Sequence, residues 1–246
     1  MPPSSDVSLD AYHAERADFA RLVEALHAIR AASLEELRSD EWLVALIRSV
    51  GLAPIPDAEQ VYVGDEDYIN ASNQGVVQLP REFARYLLFL ADHRPATYLE
   101  IGCFNGATAT LATAYLQRFN PTLQATTVDL WPGFFFYTEI QELLPLRYVV
   151  PKTSFDYRDH APFDAVFIDG DHSFDWAWAD YQNVGRRAKV CAIHDVLCAP
   201  YIDLPLCGVC GMWELIKNTE PDADYIEIIE HPTKRMMGIG IRVRHN

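Results

Sequence analysis

Apolar residues in ADFARLVEALHAIRAA (17–32) recur at helical spacing, and Ser33-Leu34-Glu35-Glu36 has the form of a capping box that opens a second helix, so residues 1–50 read as helical. The stretch 51–75 is rich in Pro, Gly, Asp and Asn without a sustained period and reads as a long connection, of the kind that becomes a lid beside a site. PREFARYLLFLADH (80–93) predicts a helix with Pro80 in its first turn. Beyond it, short apolar runs alternate with helical patterns: strand 97–102, helix 106–118, strand 125–130, helix 137–144, strands 147–151 and 163–169, helix 175–188, strand 189–195 and helix 211–218. YIEIIE (225–230) and the run 237–244 flank a short HPTKRM turn and predict an antiparallel hairpin. The order implies an α/β fold, a doubly wound, mostly parallel sheet with helices on both faces. Two parts are expected: an N-terminal helical cap and lid loop over 1–79 and a Rossmann-like domain over 80–246. The N-terminal helices are expected to act as a cap or a dimer arm, making the chain a homo-oligomer.

Half of the 246 residues are hydrophobic, enough for one substantial core. No run approaches a membrane span and the N-terminus lacks an apolar signal region, so a cytoplasmic location off the membrane is expected. The net charge of −15, with only four lysines, disfavours nucleic-acid binding as the main task. Five cysteines without regular spacing argue against a disulfide framework. Cys207-Gly-Val-Cys210 has the spacing of half a zinc site or a redox pair, but no second half follows it, and buried or loop thiols explain it better.

The segment TYLEIGCFNGATATLATAYL (97–116) is an apolar strand, a glycine-spaced turn and a helix. Glycines allow a tight turn and close approach of a ligand to the backbone, and the carboxyl ends of parallel strands are where ligands bind in such sheets. Neither the dinucleotide fingerprint nor the phosphate loop is present. Glu100 stands two residues before Gly102 and would repel a pyrophosphate while attracting a cationic or hydroxyl-bearing ligand. S-adenosylmethionine has those features. Asp129 closes the next strand 23 residues after Gly106, where a carboxylate can accept both ribose hydroxyls; a surface acid ending a strand is the plainer alternative.

FDAVFIDGDHSFDW (163–176) ends an apolar strand in Asp169-Gly170-Asp171-His172, and KVCAIHDV (189–196) ends in His194-Asp195. A crossover helix between them places the two strand ends side by side. The resulting carboxylates would raise one another's pKa unless a cation or histidine compensates. Asp169, His194 and Asp195 are a candidate set for Mg²⁺ or Mn²⁺, with His172 as a base. The alternative is that Asp169 orients the cofactor while His194 and Asp195 form a structural pair.

The acid-x-Gly-x-x-x-Gly motif resembles that of class I S-adenosylmethionine-dependent methyltransferases, and the resemblance covers about residues 80–246. The DGDH string, with a later strand ending His-Asp, looks like the subgroup of antibiotic sugar O-methyltransferases and cephalosporin-hydroxylase-like proteins. In that subgroup the first acid of the string is a magnesium ligand and the histidine three residues on is the base, which implies Asp169 and His172. The subgroup's adjacent pair of acids is His194-Asp195 here, and the Asp-Asn of catechol-type enzymes is Asp195-Val196. The glycine pair expected before the fifth strand is replaced by Arg186-Arg187-Ala188-Lys189.

The resemblance implies cofactor contacts by Glu100, Gly102, Phe104, Gly106, Asp129, Leu130, Ser154 and Asp169. The aromatic run Trp131–Tyr137 would either wall an adenine or join the core; Trp176 and Trp178 receive no role. The expected function is methyl transfer to a hydroxyl of a small molecule, a secondary metabolite. Competing readings are a metal-dependent hydroxylase or hydrolase using the Asp169/His172/His194/Asp195 cluster, and a catalytically silent cofactor-binding partner.

Overall fold

The apolar runs AVFI and VCAIH are buried along their whole length, a condition that a strand meets only when helices cover both faces of its sheet. The computed structural model describes residues 9–54, 72–197, 208–230 and 237–245. Seven strands, β1 (Thr97–Ile101), β2 (Gln124–Val128), β3 (Leu146–Val149), β4 (Ala165–Ile168), β5 (Val190–His194), β6 (Ala223–Ile228) and β7 (Ile239–Arg244), form one sheet in the order β3-β2-β1-β4-β5-β7-β6. The first five run parallel, and β7 is antiparallel to both β5 and β6.

Strand order reverses between β1 and β4, and a crevice opens at their carboxyl ends, the point where doubly wound sheets take ligands. Ile101 is in register with both Val128 and Ile168, and Ile168 with Ile193. The next residue of each strand end, Gly102, Asp129, Asp169 and His194, therefore stands along one rim. Sequence spacing has become a spatial row.

Helices α4 (Pro80–His93), α5 (Ala107–Phe119), α6 (Tyr137–Gln141), α7 (Phe174–Asn183) and α8 (Val209–Thr219) cover the sheet. At the N-terminus, α1 (Leu9–Ala31), α2 (Leu34–Leu37) and α3 (Asp40–Val50) precede them. Phe19, Leu22, Leu26 and Ile29 of α1 are buried in the same apolar cluster as Tyr86 and Tyr115, so from Phe19 onward this helix packs on its own chain. Arg118 of α5 donates to the carbonyls of Ile29, Arg30 and Ala32, satisfying the open C-terminal end of α1.

The Ser33 capping box forms as expected, with Glu36 N donating to Ser33 Oγ at 3.2 Å and Ser33 N to Glu36 Oε2 at 2.7 Å. It opens only one turn, because Ser39 caps a new helix at Asp40. The helix expected over 175–188 stops at Asn183; Val184 leaves helical geometry and Gly185–Arg187 form a 3-10 turn. The helix expected over 137–144 shortens to Tyr137–Gln141. Cys207 of the CxxC pair, the turn 231–236 and most of the lid stretch 51–75 lie outside the described residues. Among the described residues no helix is long and apolar enough to cross a membrane.

Candidate active site

The glycine turn takes its shape from backbone that side chains disfavour. Gly102 has φ +86° and Gly106 φ +84°, the left-handed region that costs an L-residue about 1 kcal/mol or more. A Cβ on Gly102 would sit 2.0 Å from the Asp169 carbonyl oxygen, and one on Gly106 2.5 Å from the Phe134 ring. Phe104 between them also has positive φ, +47°, and projects to the surface.

Asp129 holds this turn from the neighbouring strand. Its Oδ2 accepts from Cys103 N at 2.8 Å and Phe104 N at 3.0 Å, and its Oδ1 from Trp131 N at 3.0 Å. Oδ2 thus uses both of its lone pairs, and Oδ1 keeps one free for a hydroxyl in the crevice. Glu100, by contrast, is 1% exposed and accepts from the Tyr98 hydroxyl at 2.9 Å. Burial pushes its carboxyl well above the usual carboxylate range, and the charges of Asp169 and Asp129 push the same way. Burial thus disfavours the charge that the sequence suggests for Glu100.

At the other strand ends Asp169, His172, His194 and Asp195 converge. His194 Nδ1 lies 3.0 Å from Asp169 Oδ1 and 3.6 Å from Asp195 Oδ2. His172 Nδ1 lies 3.1 Å from Asp195 Oδ2, and its Nε2 3.6 Å from Asp169 Oδ1. Burial opposes charge on both imidazoles, yet the two carboxylates carry His172 up to about 9 and His194 up to about 10. Burial likewise opposes charge on Asp169, but the imidazoles outweigh it and hold that carboxyl below its ordinary range. Two protonated imidazoles balance two carboxylates, so the cluster is neutral through its own residues.

The same donors fit a divalent ion. Asp169, His194 and Asp195 each present one donor atom, all within 4.8 Å of one another. Adjacent donors on an octahedral Mg²⁺ or Mn²⁺ lie about 3.0 Å apart, given bonds of about 2.1 Å, comparable to the 3.0 and 3.6 Å found here. Among the described residues the buried His194 Nε2 has no hydrogen-bond partner, while Nδ1 faces the carboxylates.

Two cavities meet at Asp169. The larger, about 880 Å³, runs past Gly102, Asp129, Leu130, Thr153 and Trp176; the smaller, about 270 Å³, is lined by Gln78, Glu100, Thr108 and His172. Leu130 and Phe104 stand on the exposed rim. Ser154 is fully buried and accepts from Asn183 Nδ2 at 3.0 Å, so its side chain lies behind the cavity wall and Thr153 supplies the wall itself. The aromatic run divides by alternation. Phe134 and Phe136 are core, Phe136 stacking on Phe19 at 4.2 Å, whereas Trp131, 77% exposed, and Phe135 line the cleft. Trp176, given no role from the sequence, lines it too.

Three residues of this region escape sequence reasoning. Gln78 donates to Asp169 Oδ2 and accepts from the Thr108 hydroxyl at 2.7 Å. Asn105 Nδ2 donates to the carbonyls of Asn73 at 3.0 Å and Gly75 at 2.8 Å, while its Oδ1 accepts from Ala107 N at 2.9 Å. Glu82, in the first turn of α4, accepts from Glu230 N at 2.8 Å and Gly238 N at 2.9 Å, fixing the β7 side of the cluster.

Residues 99–196 match a family described as "Methyltransferase domain". No curated protein gives a significant match. Among solved structures, the fold is similar to an O-methyltransferase from Bacillus cereus in complex with SAH, at 17% identity over 84% of this chain and 100% of that one, TM-score 0.53. It is also similar to TomG, an O-methyltransferase of Streptomyces achromogenes involved in tomaymycin synthesis and in complex with SAM: 18% identity, 79% of this chain and 92% of that one, TM-score 0.51. An SAH-bound methyltransferase from Podospora anserina gives 13% identity over 99% of this chain and all of its own, TM-score 0.53. With the strand order above, these findings make this chain a class I methyltransferase in fold.

Proposed function

We propose that the protein transfers a methyl group from S-adenosylmethionine to a hydroxyl of a small acceptor, a secondary metabolite, in the cytoplasm. The observation that carries this reading is that Asp169, together with the glycine-turn residues Gly102, Phe104 and Asn105, lines both cavities. One has a glycine turn and an acid suited to an adenosyl group, and the other ends at an imidazole paired with a carboxylate.

The cofactor supplies an electrophilic methyl on a sulfonium. Asp129, through the lone pair left on Oδ1, accepts from a ribose hydroxyl. The backbone of Gly102 lets the ligand approach where any side chain would intrude. Asp169, which lines the same cavity as Glu100, would accept from the cofactor's amino group. His172, oriented by Asp195, takes the proton of the acceptor hydroxyl, the step a general base contributes to such displacements.

At neutral pH His172 retains its own proton, so this role needs either higher pH or a positive charge that displaces it. A divalent ion held by Asp169, His194 and Asp195 would provide that charge and acidify a bound hydroxyl. Calorimetry with S-adenosylmethionine, followed by turnover of hydroxylated acceptors with Mg²⁺, Mn²⁺ or EDTA, tests the reading. Saturable binding and methyl transfer support it; absence of binding returns the cluster to the alternative of hydrolytic or hydroxylating chemistry. Binding without any turnover points to a silent cofactor-binding protein.

A further inference from the structure

The methyltransferase reading leaves one buried ionisable side chain of the larger cavity without a task. Asp180 lies on the inner side of α7, only 4% exposed, yet it is part of the cavity wall. Its Oδ2 stands 3.6 Å from where a Cβ at Gly170 would lie, so the lack of a side chain there leaves the carboxyl uncovered toward the cavity. Behind it the Ser154 hydroxyl, itself an acceptor for Asn183 Nδ2 at 3.0 Å, is a hydrogen-bonding group that favours its charge.

Asp180 belongs to the larger cavity alone, in company with Asp129, Leu130, Thr153 and Trp176, and takes no part in the smaller one beside His172. A nucleoside whose ribose is held by Asp129 must extend its base along this wall. The polar edge of an adenine carries one donor, the 6-amino group, and otherwise acceptors. A carboxylate accepts and cannot donate.

We propose that Asp180 is the residue that selects adenine in the cofactor, accepting a hydrogen bond from its 6-amino group. The inference rests on the proposed use of an adenosyl cofactor. Burial holds the Asp180 carboxyl up to about 6, against the pull of Ser154. It is therefore ionised at neutral pH at a cost that a donor amine in the cavity offsets. A base with a 6-oxo group would instead set oxygen against oxygen in a buried site, the arrangement that discriminates most strongly.

The test compares S-adenosylhomocysteine, its 6-oxo analogue S-inosylhomocysteine, and the analogue with hydrogen at position 6, by calorimetry on the full chain. The wild-type protein should favour the adenosyl ligand over both analogues by about tenfold to a hundredfold. Asp180→Ala should lose that preference, binding all three with similar, weakened affinity. Asp180→Asn, nearly the same in shape, offers an N–H and should shift preference toward the 6-oxo ligand; it serves even where the alanine variant melts early. Wild-type affinities for the three ligands within about twofold of one another, or a folded Asp180→Ala that keeps the wild-type preference, would overturn the assignment while leaving the cofactor reading intact. Failure of all three ligands to bind the wild-type protein would remove the cofactor reading and this inference together.

Discussion

His172 Nδ1 lies 3.1 Å from Asp195 Oδ2, a carboxylate–imidazole pair that fixes which ring nitrogen faces the smaller cavity. Asp195 is itself immobilised, with Met237 N donating to its Oδ1 at 2.9 Å and its own backbone at φ +60°. The base is therefore positioned before any acceptor arrives, in keeping with the demands of an in-line displacement. Replacing His172 by Ala should lower kcat by about two to four decades, the usual worth of a general base, with affinity for S-adenosylhomocysteine unchanged. Single-turnover rates alongside calorimetry separate the two effects.

Charge balance in the cluster sets the expected pH response. Since the carboxylates carry His172 up to about 9, deprotonating it requires rising pH, and turnover in EDTA should climb between pH 6.5 and 9. Added Mg²⁺ or Mn²⁺ should raise activity most at the lower end, because the ion competes with protons for the same groups. A pH–rate profile that is flat in EDTA and indifferent to either ion would remove both the base and the metal from the account.

Asp129 holds the glycine turn, and in the proposed reading it also takes the ribose. Asp129→Ala deletes the acceptor for three backbone N–H groups, so it should weaken cofactor binding by about one to two decades and also lower stability by roughly 1.5–3 kcal/mol. Calorimetry and denaturant titration measure the two separately. Unchanged affinity in a folded variant would contradict the ribose assignment.

Gly106→Val combines a β-branched residue at φ +84° with a clash against Phe134. It should destabilise the chain by more than about 2 kcal/mol and abolish cofactor binding. Thermal melting and ligand binding report both losses, and normal binding by the variant would count against the turn as the cofactor cradle.

Burial raises the Asp180 carboxyl from 3.8 to about 6, which makes its charge a liability to the fold. A raised carboxyl pKa favours the folded state fully at low pH and less as pH climbs through the folded value. Asp180→Asn should therefore match the wild type below pH 3.8 and gain about 1–3 kcal/mol over it above pH 6. Denaturant midpoints at the two extremes provide the measurement, and an equal difference at both would show that charge is not the cause.

Much of the architecture is legible along the chain because its causes are local. A buried, mostly apolar run followed by Gly102 and Gly106 defines strand and turn within a few residues, and the right-handed crossover then sets Asp169 beside His194 and Asp195. Gln78 and Glu82 were invisible for the opposite reason. Gln78 meets Asp169 across 91 positions and Glu82 meets Gly238 across 156, and no periodicity encodes such a meeting. Ser154 stands in the right turn but faces inward, since the 3-10 geometry of Ser154–Tyr157 rotates its hydroxyl toward Asn183. Ser33 read correctly as a cap, while the helix it starts ends after one turn because Ser39 offers a second cap only six positions on.

Asn105 binds the segment bearing Asn73 and Gly75 to the glycine turn, and Leu52 pairs with Val76 on the other side of that segment. Whatever stiffens the turn must, by thermodynamic reciprocity, tighten the hold on that segment, and whatever loosens the segment must ease a ligand out of the crevice. Occupancy of the crevice should thus be readable as slower amide exchange at Gly75 and Val76, which line neither cavity.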